Sequence, residues 1–391
     1  MTIFVRVGDG RVAVPRSVFA SLFDASSVNA RALYLNTLGF STISLDNLVE
    51  LARKADIPYT LIFAPQAVVD AQLQRKADLL LAGVSKQAFS MNSRSRVRLQ
   101  DVELIVKDIL RKQELLKRLD DTLERNRVVS CLKGSRAPVA QDAATLRSVL
   151  GFTTDDLQAA RNKQAALDLL IDRFEARQLL VSQSQQGNMP QRIPRGVKFS
   201  GMCVRDRKIP YIFLTGGDGG NNPEPAGRKV FTLVLLAVFV SRGKFAPATY
   251  DDHTAEPITV REYAIAAEVL MPAVDVRDRD TTSLDAVKEG ADFFRVTPSA
   301  FTVRARAMGL ISAERANSYL EELAFEFSQR EKTPVRSPKP VNALRRYNGA
   351  ELSRRMLRQL DRGRISRGEF GRVVLQNRIG PGQIHQFREA L

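Results

Sequence analysis

Residues 228–240 read RKVFTLVLLAVFV, and from 230 to 240 Thr232 is the one polar residue. A helix of that composition has no polar face to turn toward water, so it must be enclosed on every side. Eleven residues rise only about 17 Å as a helix, short of the roughly 30 Å of a bilayer's hydrocarbon. The run is therefore read as a helix at the centre of a folded core, and no membrane partner is expected. The rest of the chain must wrap it. With 391 residues, 44% of them hydrophobic, there is material for two or three domains. Mean hydropathy of −0.18 agrees with a globular protein.

Upstream, residues 3–7 and 11–14 flank Gly8-Asp9-Gly10 and read as a hairpin, because a tight turn needs positive φ. A helical stretch follows to Thr37, with VNARALYLNTLG as a short helix within it. Ser44 then caps a helix whose Leu45, Leu48, Val49, Leu51 and Ala52 share one face, ending near Pro58. Residues 70–127 read as charged amphipathic helix, with Leu115, Leu116, Leu119 and Leu123 at three-to-four spacing. A second helical block covers 141–180, with Thr153 as an internal cap. Short strands follow in LLVSQ, GVKFSGMCV and PYIFLTG, the first two separated by the loop QQGNMPQRIPRG. Helices resume at 228–240, 260–271, 283–294 and 298–308. PVRSPKP at 334–340 reads as a linker, since three prolines in seven residues cannot continue a helix.

Six of these stretches taken in register resemble the ImmA/IrrE family of bacterial and phage zinc peptidases. SLDNLVELARKADIPYTLIFAP, RKQELLKRLDDTL, the segment from QQGNMPQ to FLTGGD, REYAIAAEVLMP, FFRVTPSAFTVRARAMGLI and the Arg-rich YNGAELSRRMLRQLDRGRISRGEFGRVV each match a family segment, from about residue 44 to the end. The apolar helix then aligns with FTLAHELxHLL, the family's metal-binding helix. The resemblance implies a mostly helical α+β fold: an N-terminal hairpin and helical region at 1–135, a peptidase-like domain at 136–330, and a linker with a basic helical region at 331–391. Residues 1–43 depart from the repressor-type helix-turn-helix that many family members carry there.

The family's chemistry needs two His at i and i+4 for zinc, a Glu beside the first to take a proton from bound water, and a carboxylate from a later helix. On this chain those positions hold Leu235, Leu236, Phe239 and Arg261. Glu262 is one residue further on, about 100° around the helix, and so aimed elsewhere. Hydrocarbon has no lone pair and a guanidinium repels a dication, so no catalytic residue, no metal and no cofactor is expected. His253 beside Asp251, Asp252 and Glu256 reads as a surface loop, Cys203 as a buried thiol, and Gly216 to Gly220 as a turn without the Lys-Ser/Thr of a phosphate loop. Two cysteines, and an opening MTIFVRVGDGRVAVP without the cationic-then-apolar order of a secretory signal, point to the cytoplasm.

Charge points to a partner. The net charge is +16, and residues 334–391 carry 13 Lys/Arg against 4 Asp/Glu, a balance that favours nucleic acid. Residues 350–360 form an amphipathic helix, Ser366 and Glu369 have capping spacing, and a last helix follows Gly380-Pro381: a helix-turn-helix order. Candidate phosphate contacts are Arg345, Arg346, Arg354, Arg355, Arg358, Arg362, Arg364, Arg367 and Arg372, with Arg304 and Arg306 in the 297–309 helix. The same helices can instead pack on the core. Family members sit in repressor–protease switches and toxin–antitoxin-type operons, so the resemblance implies a non-catalytic regulator binding DNA, or a repressor or toxin protein. Two alternatives stay open: a zinc peptidase with a displaced site, and an assembly protein that binds only another protein.

Overall fold

The turn at Gly8 (φ +58°) joins strand β1 (Thr2–Val7) to β2 (Gly10–Pro15), antiparallel with Ile3 opposite Val14. A third strand, β3 (Thr42–Ser44), runs parallel to β1. Its three residues are too few to show alternation in the sequence. Helices α1 (Arg16–Asp24), α2 (Ala32–Thr37), α3 (Leu45–Lys54) and α4 (Gln66–Leu80) accompany this sheet. Val5, Phe19, Tyr34, Leu48 and Ile62 form their shared core. The Ser44 hydroxyl accepts from the Asn47 amide, the expected cap. The computed structural model describes residues 2–26, 32–55, 57–80, 99–185, 187–193, 199–216, 224–249, 260–329 and 338–391.

Helix α5 (Leu99–Leu119) replaces the continuous helix expected over 70–127, of which 81–98 lies outside the described residues. It stops at Leu119 because the Asp120 carboxylate accepts from both the amide and the hydroxyl of Thr122, at 3.1 and 2.6 Å. That local turn competes with the next helical bond. Leu123 is still buried, but from a loop. The block expected over 141–180 is three helices, α6 (Val139–Leu150), α7 (Thr154–Ala159) and α8 (Lys163–Ala176). Gly151, left-handed at φ +77°, ends the first; Thr153 and Asn162 cap the second and third.

The expected strands β4 (Leu180–Gln183), β5 (Phe199–Val204) and β6 (Tyr211–Leu214) form a second sheet, completed by β7 (Pro247–Thr249). The order is β4-β6-β5-β7, with β4 and β6 parallel and the other pairs antiparallel. Side chains alternate across it. Val181, Cys203, Ile212 and Leu214 enter a core built with α9 (Ala226–Ser241) and α10 (Val260–Leu270). Leu180, Met202, Val204, Tyr211 and Phe213 enter a different core on the opposite face. The sheet is thus a middle layer, with both faces buried.

Helices α11 (Ala273–Arg277), α12 (Leu284–Phe293), α13 (Pro298–Ala307) and α14 (Ala313–Gln329) follow on the first side. Pro340, at the end of the expected linker, opens α15 (Pro340–Asn348), which α16 (Ala350–Asp361), α17 (Arg367–Val373) and α18 (Ile384–Glu389) succeed. These last helices bury Leu344, Leu352, Met356, Phe370 and Phe387 with α5 against the sheet's second face. Cores therefore cross the boundaries drawn at 135/136 and 330/331. The physical reason is amphipathicity: the apolar stripe of the basic segment needs a partner, and the sheet's second face is apolar. The fold is α+β, mostly helical, with small mixed sheets, as expected. Among the described residues no helix is long and apolar enough to cross a membrane.

Candidate functional site

Helix α9 is the natural place to look for chemistry, and its surroundings are hydrocarbon. Leu235, Leu236 and Phe239 are 2%, 0% and 4% exposed, packed among Leu233, Val234, Ile265 and Val269. At about 1.5–3 kcal/mol for each buried side chain, these positions contribute to stability as ordinary core residues. The sheet presses directly on them. A Cβ built on Gly201 would lie 2.5 Å from the Phe213 carbonyl oxygen and 3.0 Å from Leu236 Cδ1. Glycine is required in β5 because the helix and the neighbouring strand leave no room for a methyl group.

Arg261 points away from that helix. Its guanidinium donates to the Asp142 carboxylate at 2.6 Å and to the Ala137 carbonyl on the α6 side. Asp142 also accepts from the Ser135 hydroxyl at 2.6 Å. Glu262, turned from the site as the helical rotation requires, is 1% exposed. It pairs with Arg242 at 3.2 Å and Lys244 at 2.7 Å, at the C-terminal end of α9. Two cations near the carbonyl end of a helix also suit its dipole. A third pair, Arg304 with Glu268, joins α13 to α10, and Glu268 accepts in addition from the Ala273 amide. Arg304, expected at a DNA surface, is thus held inside, whereas Arg306 is exposed.

Among the described residues, no three of His, Cys, Asp or Glu are grouped as a metal ion would need. Cys203 is buried, with its thiol pushed up to about 12 by desolvation, and it faces the Lys244 and Ala246 carbonyls. His253, and Gly217 to Gly220, lie outside the described residues.

The nine candidate arginines of the C-terminal segment divide. Arg355 is half-buried, bonded to Asp120 at 2.8 Å and Glu351 at 2.7 Å. Arg345 and Arg354 donate to the Ala390 and Leu391 carbonyls, and Arg364 to Asp121 and the Leu119 carbonyl. Arg358 is exposed, with Glu351 at 3.5 Å. Arg346, Arg362, Arg367 and Arg372 are exposed and form no ion pair among the described residues. The capping reading holds for the Ser366 hydroxyl, which accepts from the Glu369 amide at 3.1 Å; the Glu369 carboxylate turns to Arg118 instead. Helix α17 has only seven residues, and Phe370 and Val373 from it are buried. It therefore does not stand out as a reading helix.

A polar node missed from sequence docks these helices. The Glu175 carboxylate, 3% exposed, accepts from the Glu351 amide at 2.9 Å, at the start of α16. It also lies 3.4 Å from the Val181 amide. Burial pushes this acid up to about 7, against the pull of those two donors. Gly349 at φ +82° sits so close that a Cβ there would collide with Glu175 and the Val181 carbonyl. Beside it Ser182 donates to the Tyr347 carbonyl, Tyr211 to the Asn348 carbonyl, and Tyr347 to Asp108, which is also paired with buried Lys112 at 2.5 Å. These partners lie up to 239 positions apart, so no local pattern announces them. No protein-family model, curated protein or solved structure matches the chain.

Proposed function

We propose that this chain is a non-catalytic regulatory binding protein on an ImmA/IrrE-type metallopeptidase scaffold, with DNA as its partner. The observation that carries the reading is the state of four positions where such a scaffold would hold zinc and its water. Leu235, Leu236 and Phe239 are packed in core, and the Arg261 guanidinium is committed to Asp142. A hydrolytic site at this place would need a wet, open ligand position. Here the sheet is in contact with the helix through Gly201.

What supports DNA as the partner is charge. The net +16 is joined by exposed Arg346, Arg362, Arg367 and Arg372 on the C-terminal helices, none of which forms an ion pair among the described residues. Such cations bind by releasing phosphate counterions, so affinity must fall steeply with salt. Mobility-shift titrations of a duplex at two salt concentrations test this, together with elemental analysis of the purified protein. Salt-sensitive shifts and less than a tenth of an equivalent of zinc support the reading. Near-stoichiometric zinc with chelator-sensitive proteolysis would establish the peptidase instead, and no shift at low salt would remove DNA as the partner.

A further inference from the structure

A second basic surface, outside the C-terminal helices, is assembled around a single buried asparagine. Asn126 is 4% exposed, and its side-chain amide donates to the Arg177 carbonyl at 2.9 Å and to the Lys208 carbonyl at 3.4 Å. Its backbone amide donates to the Arg207 carbonyl at 3.0 Å, and its side-chain oxygen accepts from the Val128 amide at 2.8 Å. Gln178, left-handed at φ +58°, closes the same junction by donating to the Glu124 and Lys208 carbonyls at 3.0 and 3.1 Å. The 205–209 turn is fixed in its own right, since Asp206 accepts from the Lys208 and Ile209 amides. Three separate stretches of chain are therefore clamped at one point.

The side chains that this clamp leaves in water are Arg125, Arg127, Arg205, Arg207 and Lys208, all exposed. None of them forms an ion pair among the described residues. Nearby acids offset them only in part: Asp206 shares Lys117, at 2.8 Å, with Glu114 at 2.5 Å, and Glu124 is the other acid on these stretches. Five cations held beside fewer acids cost stability by mutual repulsion unless an anion neutralises them. The backbone is pinned and the charged tips are exposed, which suits phosphates spaced along a polymer.

We propose that Arg125, Arg127, Arg205, Arg207 and Lys208 form a phosphate-backbone contact surface for double-stranded DNA, additional to the C-terminal arginines. The inference rests on the reading of the chain as DNA-binding. Duplex is favoured over single strand because bases in a single strand need exposed aromatic platforms. The aromatic ring under this patch, Phe245, is buried beneath Arg205. The patch also adjoins the C-terminal face: Arg364 bonds to Asp121, and four residues of chain from 121 to 125 span at most about 14 Å. That is less than half of a duplex turn of about 34 Å, close enough for one DNA segment to span the two.

The experiment is fluorescence anisotropy of the full chain with a labelled random-sequence duplex at 50 and 200 mM salt. The variants are R125Q/R127Q/R207Q, the charge-preserving R125K/R127K/R207K, and R346Q/R367Q/R372Q. Each phosphate contact contributes about 0.9 to the salt slope, so over this fourfold salt change wild type should lose about 40-fold more affinity than the patch Gln variant. The Lys variant should retain the wild-type slope. All substituted positions are exposed, and unchanged circular dichroism melts verify folding. If wild type binds and the patch Gln variant keeps its affinity and slope, the patch assignment is overturned while the DNA reading stands. If wild type shows no binding at 50 mM salt, the DNA reading fails and the patch fails with it. Tighter binding to a single strand of equal length, or binding to phosphatidylserine vesicles and not to duplex, also overturns the proposal.

Discussion

Glu175→Gln should remove a pH dependence that the wild-type chain carries in the packing of its C-terminal helices. Burial raises this acid from the ordinary 4.5 to about 7. The charged groups facing it are Glu351, which adds to the rise, and Arg354, which opposes it, while two backbone amides donate to its oxygens. Between the two values the folded chain holds a proton that the unfolded chain releases. The associated stability is therefore complete below pH 4.5 and is lost as pH rises through about 7. Integrating from pH 5 to pH 8 gives a loss of about 2.5 kcal/mol from this group. Glu224, raised to about 7 by desolvation, acts in the same direction, so the difference between wild type and variant isolates Glu175. The assay is urea unfolding at pH 5, 6, 7 and 8, followed by tyrosine fluorescence. The chain has no tryptophan, and Tyr211 and Tyr347 lie in the same polar node. Wild type should lose more stability across this range than Glu175→Gln, by about 2.5 kcal/mol. Equal pH slopes in the two proteins, or a steeper loss in the variant, would refute the reasoning.

Gly201→Ala forces a methyl group onto the Phe213 carbonyl and Leu236, and should destabilise by about 1–3 kcal/mol in a thermal melt, with secondary structure retained. Phe239→Ala leaves a cavity in the core around α9 and should cost about 3–5 kcal/mol; a cost under 1 kcal/mol would mean that the ring is not enclosed. Arg261→Met strips the buried Asp142 of its ion pair while its Ser135 bond remains, and should cost about 1–3 kcal/mol. Arg261→Lys should recover part of that, read from the same melts. Asn126→Ala leaves the Arg177 carbonyl without this donor and the Lys208 carbonyl with Gln178 alone, so hydrogen exchange should quicken at 124–128 and 205–209 while amides in α9 stay protected.

Much of the secondary structure was legible because it is written in neighbours. Gly8 and Gly10 marked the hairpin, Ser44, Thr153 and Ser366 marked helix starts, and the short apolar runs GMCV and YIFL marked strands. Where two local signals competed, periodicity alone misled. The leucines at 115–123 keep helical spacing, yet the Asp120 turn ends the helix before Leu123. Basic composition was also an incomplete guide to surface. Arg355 and Arg304 carry charge into internal pairs with Asp120 and Glu268, and Arg364, though exposed, is paired with Asp121. An arginine's spacing on a helix gives its direction, but not which carboxylate waits there.

From residues alone one can conclude that 230–240 must be enclosed, since a helix with no polar face has nowhere else to go. The mixed helix-and-strand class follows in the same way from local periods of 3.6 and 2. Only the tertiary structure decided that the second sheet is covered on both faces, that the C-terminal helices supply one cover, and that Asn126 gathers cations from 125–127 and 205–208. Periodicity and caps arise from forces between residues a few positions apart, so they leave a mark in the order of the chain. An ion pair such as Arg261 with Asp142 spans 119 positions, and its energy depends on a distance that exists only after folding.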